Sequence, residues 1–313
     1  MSAIPIIDLA GLRSPHLRER QAVAGAMGRA AREIGFLYVV NHAIPVPLLH
    51  AAFAAAHALF DLPLADRLAL DIARSPHNRG YVGVGVEQLD TAAAPDRKEA
   101  FNIGFDLAAD DPEVLAGEPL RGVNVWPALP GWRETMLAWF DACLGLGGLI
   151  HRGFCLDLGI PEDFFAPLID RPMATLRMLR YPAPDPALPP AALGAGEHTD
   201  YGNLTLLATD GVPGLEVRRR DGTWLAAPSV PGALVVNIGD LLMRWTNDLY
   251  VSTPHRVRQP ERQRHSLAFF LDPNPDALVE VLPACLAPGE PPRYPPVLAA
   301  DYLRSRLDAT YRA

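Results

Sequence analysis

Lysine is almost missing from this 313-residue chain: Lys98 is the single one, so 27 of the 28 positive charges (28 − 1) are arginines, set against 36 acidic residues. With a formal net charge of −8 and no basic cluster, the sequence offers no surface for a phosphate backbone, and a nucleic-acid partner is not expected. Cysteine is equally scarce. Cys143, Cys155 and Cys285 are odd in number, far apart and set among apolar residues, which predicts reduced thiols and excludes a disulfide framework. No apolar run reaches the roughly 20 residues a helix needs to cross a bilayer, and the start lacks the charge and apolar stretch of a secretory leader. A cytoplasmic protein without a membrane partner is the expectation. Residues 78–87 are punctuated by glycine, yet they lack the Gly-Lys-Ser/Thr ending and following helix of a phosphate-binding loop.

What is present is a chain with 49% hydrophobic residues, ample for a sizeable core. Ser14-Pro15 reads as an N-cap followed by proline at the first helical position, opening a helix that runs through Ala31 with Gly35 near its end. Residues 36–40 read as a buried strand, 45–60 and 64–70 as helices, and 107–130 as a loop rich in proline, glycine and acid. A long amphipathic helix is predicted over 131–158, ended by Gly159. From Ala174 onward the pattern changes to short β segments separated by Gly, Pro and Asp turns: 174–181, 204–209, 214–218, 224–226, 233–238 and 265–271. Two further short segments carrying polar residues bring the count to eight, which fits a jelly roll. Residues 297–311 read as a helix able to cap the barrel. With no repeat or low-complexity linker, residues 1–313 are expected to form one catalytic unit.

The chemistry concentrates between Gly196 and Ser266. Gly196 reads as a turn before Glu197-His198-Thr199-Asp200; an extended backbone from His198 to Asp200 puts both side chains on one face of a sheet. His255, 55 residues beyond Asp200 (255 − 200), would complete the set from a distant strand. Two imidazoles and one carboxylate on one side of an ion form the facial triad of non-haem iron sites, which leaves the opposite positions open. Arg264 and Ser266 are also two apart, and a guanidinium beside a hydroxyl is a carboxylate receptor. On the strand from Ala174, alternation sets Arg177, Leu179 and Tyr181 on one face and Met178 and Arg180 on the other. Phe270, six beyond Arg264, shares the face of Arg264.

These residues, together with Ile4-Pro5-Ile6-Ile7-Asp8-Leu9, Gly35-Phe36-Leu37-Tyr38-Val39-Val40-Asn41-His42, Asp96-Arg97-Lys98-Glu99-Ala100-Phe101-Asn102-Ile103-Gly104 and Asn237-Ile238-Gly239-Asp240, resemble the isopenicillin N synthase-like family of Fe(II)- and 2-oxoglutarate-dependent oxygenases. The resemblance spans nearly the whole chain. It implies a mainly β fold with flanking helices: a double-stranded β-helix (jelly roll) core over 172–275, packed against an N-terminal helical and β region over 1–110 and central helices. It implies Fe(II) on His198, Asp200 and His255, with O2 and 2-oxoglutarate as cosubstrates. The distal carboxylate of 2-oxoglutarate would meet Arg264, Ser266 and the Tyr181 hydroxyl. Oxidative decarboxylation to succinate and CO2 would then drive oxidation of an unactivated C–H bond. Arg177, Glu87 and Phe270 are the implied substrate contacts; an inward Arg177 demands an anion, either a protein carboxylate or a bound acid.

Three alternatives stay open at this stage. Isopenicillin N synthase itself and the aminocyclopropane carboxylate oxidases turn the Arg-x-Ser pair on a different carboxylate and use no 2-oxoglutarate. A barrel that has lost catalysis could serve as a binding module, and zinc would accept the same three ligands. The substrate, the choice among hydroxylation, desaturation, cyclisation and ethylene formation, and the oligomeric state are not written in the sequence.

Overall fold

The computed structural model describes residues 3–88, 96–184 and 193–311. Twelve strands build its two main sheets: β1 (Ile6–Asp8), β2 (Phe36–Val40), β3 (Gly80–Val82), β4 (Glu99–Gly104), β5 (Thr175–Tyr181), β6 (Leu193–His198), β7 (Leu204–Thr209), β8 (Leu215–Arg218), β9 (Trp224–Ala226), β10 (Leu234–Ile238), β11 (His255–Arg258) and β12 (Arg264–Leu271). The larger sheet has the order β1-β2-β10-β7-β12-β5-β4-β3 and the smaller β6-β11-β8-β9. Strands β5 to β12 alone therefore supply eight strands, four in each sheet, as a jelly roll requires. The N-terminal strands extend both edges of the larger sheet, β1 and β2 beside β10, β3 and β4 beside β5.

Alternation along β12 explains why one face of the larger sheet joins the core and the other lines a cavity. Leu267, Phe269 and Leu271 point out to the helices and join the main core, whereas Arg264, Ser266, Ala268 and Phe270 line the cavity between the sheets. The same rule puts Met178 in the core and Arg177, Leu179 and Tyr181 in the cavity, as the sequence predicts. Against the outer face lie α1 (Leu17–Glu33), α2 (Val46–Phe60) and α5 (Trp132–Leu158), with the short α3 (Leu64–Leu68) and α4 (Pro112–Leu115) between them. In α5 Trp139, Phe140, Ile150 and Phe154 are all but fully buried, each contributing about 1.5–3 kcal/mol of transfer free energy. Phe140 meets Phe269 of β12 edge to face at 4.9 Å, which pins the helix to the sheet. Gly159 stops α5 in the left-handed conformation, φ 69°, where a side chain would strain the backbone. Beyond the barrel α6 (Asp240–Trp245) follows β10, and α7 (Ala299–Tyr311) sets Leu303 and Leu307 into the cavity wall.

Several local expectations are corrected. Ser14 does not cap α1: the helix starts at Leu17 after His16, and the Ser14 hydroxyl accepts from the His16 amide in a turn of its own. The helix expected over 64–70 stops at Leu68, and the 107–130 loop contains the single turn α4, capped by the Asp111 side chain. Gly196 lies inside β6 and not in a turn.

Candidate active site

Strand pairing brings the first two imidazoles together. In the antiparallel pair of β6 and β11, His198 sits directly opposite His255, and their ring centroids are 4.3 Å apart. Asp200 follows just past the end of β6, where a tight crossing fixes it. The Asp240 amide donates to the Asp200 carbonyl at 2.8 Å and the Gly239 amide to the Asn203 carbonyl at 2.9 Å. A Cβ on Gly239 would run into the Gly202 carbonyl, so only glycine lets the two backbones approach this closely. Asp200 Oδ1 then lies 3.9 Å from His198 Nε2 and 3.7 Å from His255 Nε2. All three ligand atoms fall within 4.8 Å of one another.

The surroundings tune these groups for a cation. His198 Nδ1 bonds the Gly196 carbonyl at 2.8 Å and His255 Nδ1 the Thr253 carbonyl at 3.1 Å. A carbonyl only accepts, so each Nδ1 carries a proton, and each Nε2 is the nitrogen turned to Asp200. Burial, then the neighbouring His255, pushes the His198 pKa down to about 3, so the ring is neutral near pH 7. Burial opposes ionisation of Asp200, but the two imidazoles and the donors Asn237 and Thr205 outweigh it and hold its carboxyl below the usual range. Those donors, opposite each other on β10 and β7, bond Asp200 Oδ2 at 2.7 and 2.5 Å. Two imidazole nitrogens and an oriented carboxylate on one side of a cavity are a donor set that fits a divalent iron with open positions.

Arg264 occupies the same cavity of about 190 Å³. It is 1% exposed, donates from Nε to the Val212 carbonyl at 3.2 Å and reaches Ser266 Oγ only at 3.4 Å. The Tyr181 ring lies under its guanidinium at 4.9 Å; Tyr181 thus meets Arg264 through its face. Among the described residues no carboxylate pairs with Arg264. Asp210 attracts Arg264 only from beyond ion-pair distance, and a desolvated guanidinium without a close partner costs several kcal/mol, so this end of the cavity suits an anion.

The expected substrate contacts gather on the same cavity, with a change of partner. Arg177 has its anion in the protein: it pairs with Glu87, which also receives Lys98 at 3.5 Å. Glu87 is 6% exposed, neither a solvated loop carboxylate nor free for a ligand amine. Lys98 bonds Asp96 as well, and Asp96 accepts the Gly196 amide at 2.9 Å, so the only lysine braces the strand that carries His198. Phe270 lines the cavity as predicted. Lys98, Arg79 and Asp272 also face the cavity, and sequence reasoning does not single them out as site residues. Asp272 was within its reach, because it continues the series 264, 266, 268, 270 by one more step.

The profile of the 2OG-Fe(II) oxygenase superfamily matches residues 173–273, and that of the N-terminal region of the non-haem dioxygenases in morphine synthesis matches residues 4–129. A 2-oxoglutarate-Fe(II) type oxidoreductase, hxnY, from Emericella nidulans is 37% identical, the match covering 99% of this chain and 91% of that protein. The chain belongs to the 2-oxoglutarate- and Fe(II)-dependent oxygenases. Among proteins of known structure, a full-length Neurospora crassa protein in complex with alpha-KG, which is 2-oxoglutarate, superimposes with a TM-score of 0.88 at 33% identity, covering 98% of this chain and 96% of that one. The same Neurospora protein has been solved with both alpha-KG and thymine bound. The protein is therefore an oxygenase of the isopenicillin N synthase-like family, a non-haem dioxygenase that uses Fe(II), 2-oxoglutarate and O2. No helix of the described residues is long and apolar enough to cross a membrane.

Proposed function

We propose that His198, Asp200 and His255 hold the Fe(II) of this dioxygenase, that Arg264 and Ser266 hold the distal carboxylate of 2-oxoglutarate over the Tyr181 ring, and that Arg177, Glu87 and Phe270 wall the space for a small-molecule substrate. Bound Fe(II) with 2-oxoglutarate supplies the oxidising power to convert O2 and a C–H bond into hydroxylated or otherwise oxidised product, with succinate and CO2 released. The protein's own work is positional. Asn237 and Thr205 fix the Asp200 carboxylate, two backbone carbonyls fix the imidazole tautomers, and the apolar residues Leu207, Leu215 and Val257 keep water from the clamp. The Arg177–Glu87 pair neutralises itself, so it shapes the pocket without calling for a charged ligand at that point.

The observation that carries this reading is Arg264, a buried cation that no carboxylate of the described residues meets in an ion pair, on the same cavity as three converging candidate metal donors. Thymine bound to the Neurospora crassa protein supports a small molecule as substrate here too. We further take residues 1–313 to act as a single unit in the cytoplasm, with neither nucleic acid nor membrane as partner, in line with the net charge of −8. The test is to load the protein anaerobically with Fe(II) and 2-oxoglutarate, admit O2 and follow succinate against a small-metabolite library. One succinate per O2 consumed, accelerated by the true substrate, is the expected result; O2 consumption without succinate would overturn it.

A further inference from the structure

The cavity contains a second buried guanidinium. Arg79 is 2% exposed and lies against Gly104, where a Cβ would overlap its guanidinium. It makes two long hydrogen bonds of 3.4 Å to the carbonyls of Asn78 and Leu120, and its Nε has no partner. Among the described residues no carboxylate is in ion-pair contact with it, and burial, reinforced by Arg121, outweighs the more distant attraction of Asp272 and pushes its pKa down to about 10. Asp272, 4% exposed, sets its carboxyl beside Gly202 and accepts no hydrogen bond from any described residue. Asn102 Oδ1 on the same wall is buried without a donor. These are a cation and an acid that attract each other without an ion-pair contact, and an acceptor without a donor, whereas Arg177 and Lys98 are in contact with Glu87 and Asp96.

Strand register locates this set. Asn237, Thr205, Phe270, Thr175 and Gly104 form one row across β10, β7, β12, β5 and β4. Asp200 is bonded at the Thr205 end and Arg79 rests at the Gly104 end, three strand spacings or about 14 Å away. Arg264 pairs with Tyr181, six residues further along β5 than Thr175, hence about 20 Å along the strands. Arg79 and Arg264 thus serve different anions. Arg79 and Asp272 attract each other only from beyond contact distance, so each keeps a desolvation cost that an occupant bridging the two would relieve.

We propose that Arg79 and Asp272 receive the polar head of the substrate, an α-amino acid whose carboxylate meets Arg79 and whose ammonium meets Asp272, with its side chain running past Phe270 toward the metal. Asp272 lies beside Gly202, on the metal loop, so the ammonium is on the inner side of the carboxylate and the oxidised carbon belongs to the side chain. This rests on the oxygenase reading above.

The test is equilibrium binding to the full chain loaded anaerobically with Fe(II) and 2-oxoglutarate, using the twenty protein amino acids and, for the tightest of them, its decarboxylated amine and its deaminated acid. Either truncation should weaken binding at least about tenfold, as loss of a charge-assisted bond implies. Arg79→Gln should weaken the amino acid and the deaminated acid while leaving the amine within about twofold, and Asp272→Asn should do the mirror image. Equal weakening of all three ligands by a variant would make its role structural and overturn the assignment, as would a panel in which no amino acid binds. Should Arg79→Gln fail to fold, the ligand series on the unsubstituted chain and Asp272→Asn still decide. Succinate release from the same preparation is followed separately, so a protein that turns over 2-oxoglutarate and ignores amino acids is distinguished from one that is no oxygenase.

Discussion

At the scale of single residues, one buried charge divides the proposed 2-oxoglutarate site from the rest. Arg264→Ala removes the cation at the clamp end and leaves the triad untouched, so the Michaelis constant for 2-oxoglutarate should rise about 10- to 100-fold, as loss of a charge-assisted pair worth about 1.5–3 kcal/mol implies. Steady-state kinetics at varied 2-oxoglutarate checks this, and an unchanged constant would dismiss the clamp. Residues such as His198, Asp200 and Arg264 are legible in the sequence because each stands two positions from a partner, and a period of two on a strand means a shared face. Arg79 and Lys98 are not. A buried arginine or lysine reads in one dimension like a solvent-exposed one, and the neighbours that reveal its burial, Gly104 and Leu120 for Arg79, come from other parts of the chain. The true role of Glu87 hides for the same reason: its partners Arg177 and Lys98 are brought to it by the folding of distant segments.

At the scale of elements, the register between β6 and β11 and the crossing of residues 200–203 over Gly239 assemble the proposed metal ligands. Gly239→Ala would force the Gly202 backbone away, because the added methyl has a carbonyl oxygen and no flexible side chain to displace. Iron affinity should fall about 10- to 100-fold, comparable to the loss of an orienting partner of a metal ligand, while circular dichroism stays that of a folded chain; unaltered iron affinity in an anaerobic titration would contradict this view of the crossing. Six strands of the barrel are legible because turn residues separate short runs rich in apolar residues, β6 and β11 only as short segments around His198 and His255, and α5 because its apolar period continues from Trp132 to a terminating Gly159. The start of α1 is not, since Ser14-Pro15 satisfies the rule for a cap while the structure spends the serine hydroxyl on a local turn. The extent of β6 is also hidden, because Gly196 reads as a breaker and is in fact a strand residue whose amide is taken by Asp96.

At the scale of the whole molecule, one face of the larger sheet builds the core with α1, α2 and α5 while the other builds the cavity, so stability and chemistry meet across a single layer. His151 on α5 joins the two: its Nδ1 donates to the Gly147 carbonyl and its Nε2 faces the Asn203 amide, next to the metal loop. Burial pushes its pKa down to about 4. The unfolded chain therefore binds the extra proton between about pH 6.5 and 4, and the stability His151 contributes is complete above about 6.5 and lost as pH falls, on the order of 3 kcal/mol in all. Urea midpoints of the metal-free protein should drop more steeply over that range in wild type than in His151→Gln; parallel curves would remove His151 as a cause. The central claim, that His198, Asp200 and His255 jointly hold the iron, is tested most directly by anaerobic Fe(II) titration of wild type and the three single alanine variants. One tight iron per chain in wild type and none in any variant is the predicted result. Tight stoichiometric iron in even one of the three variants would contradict it.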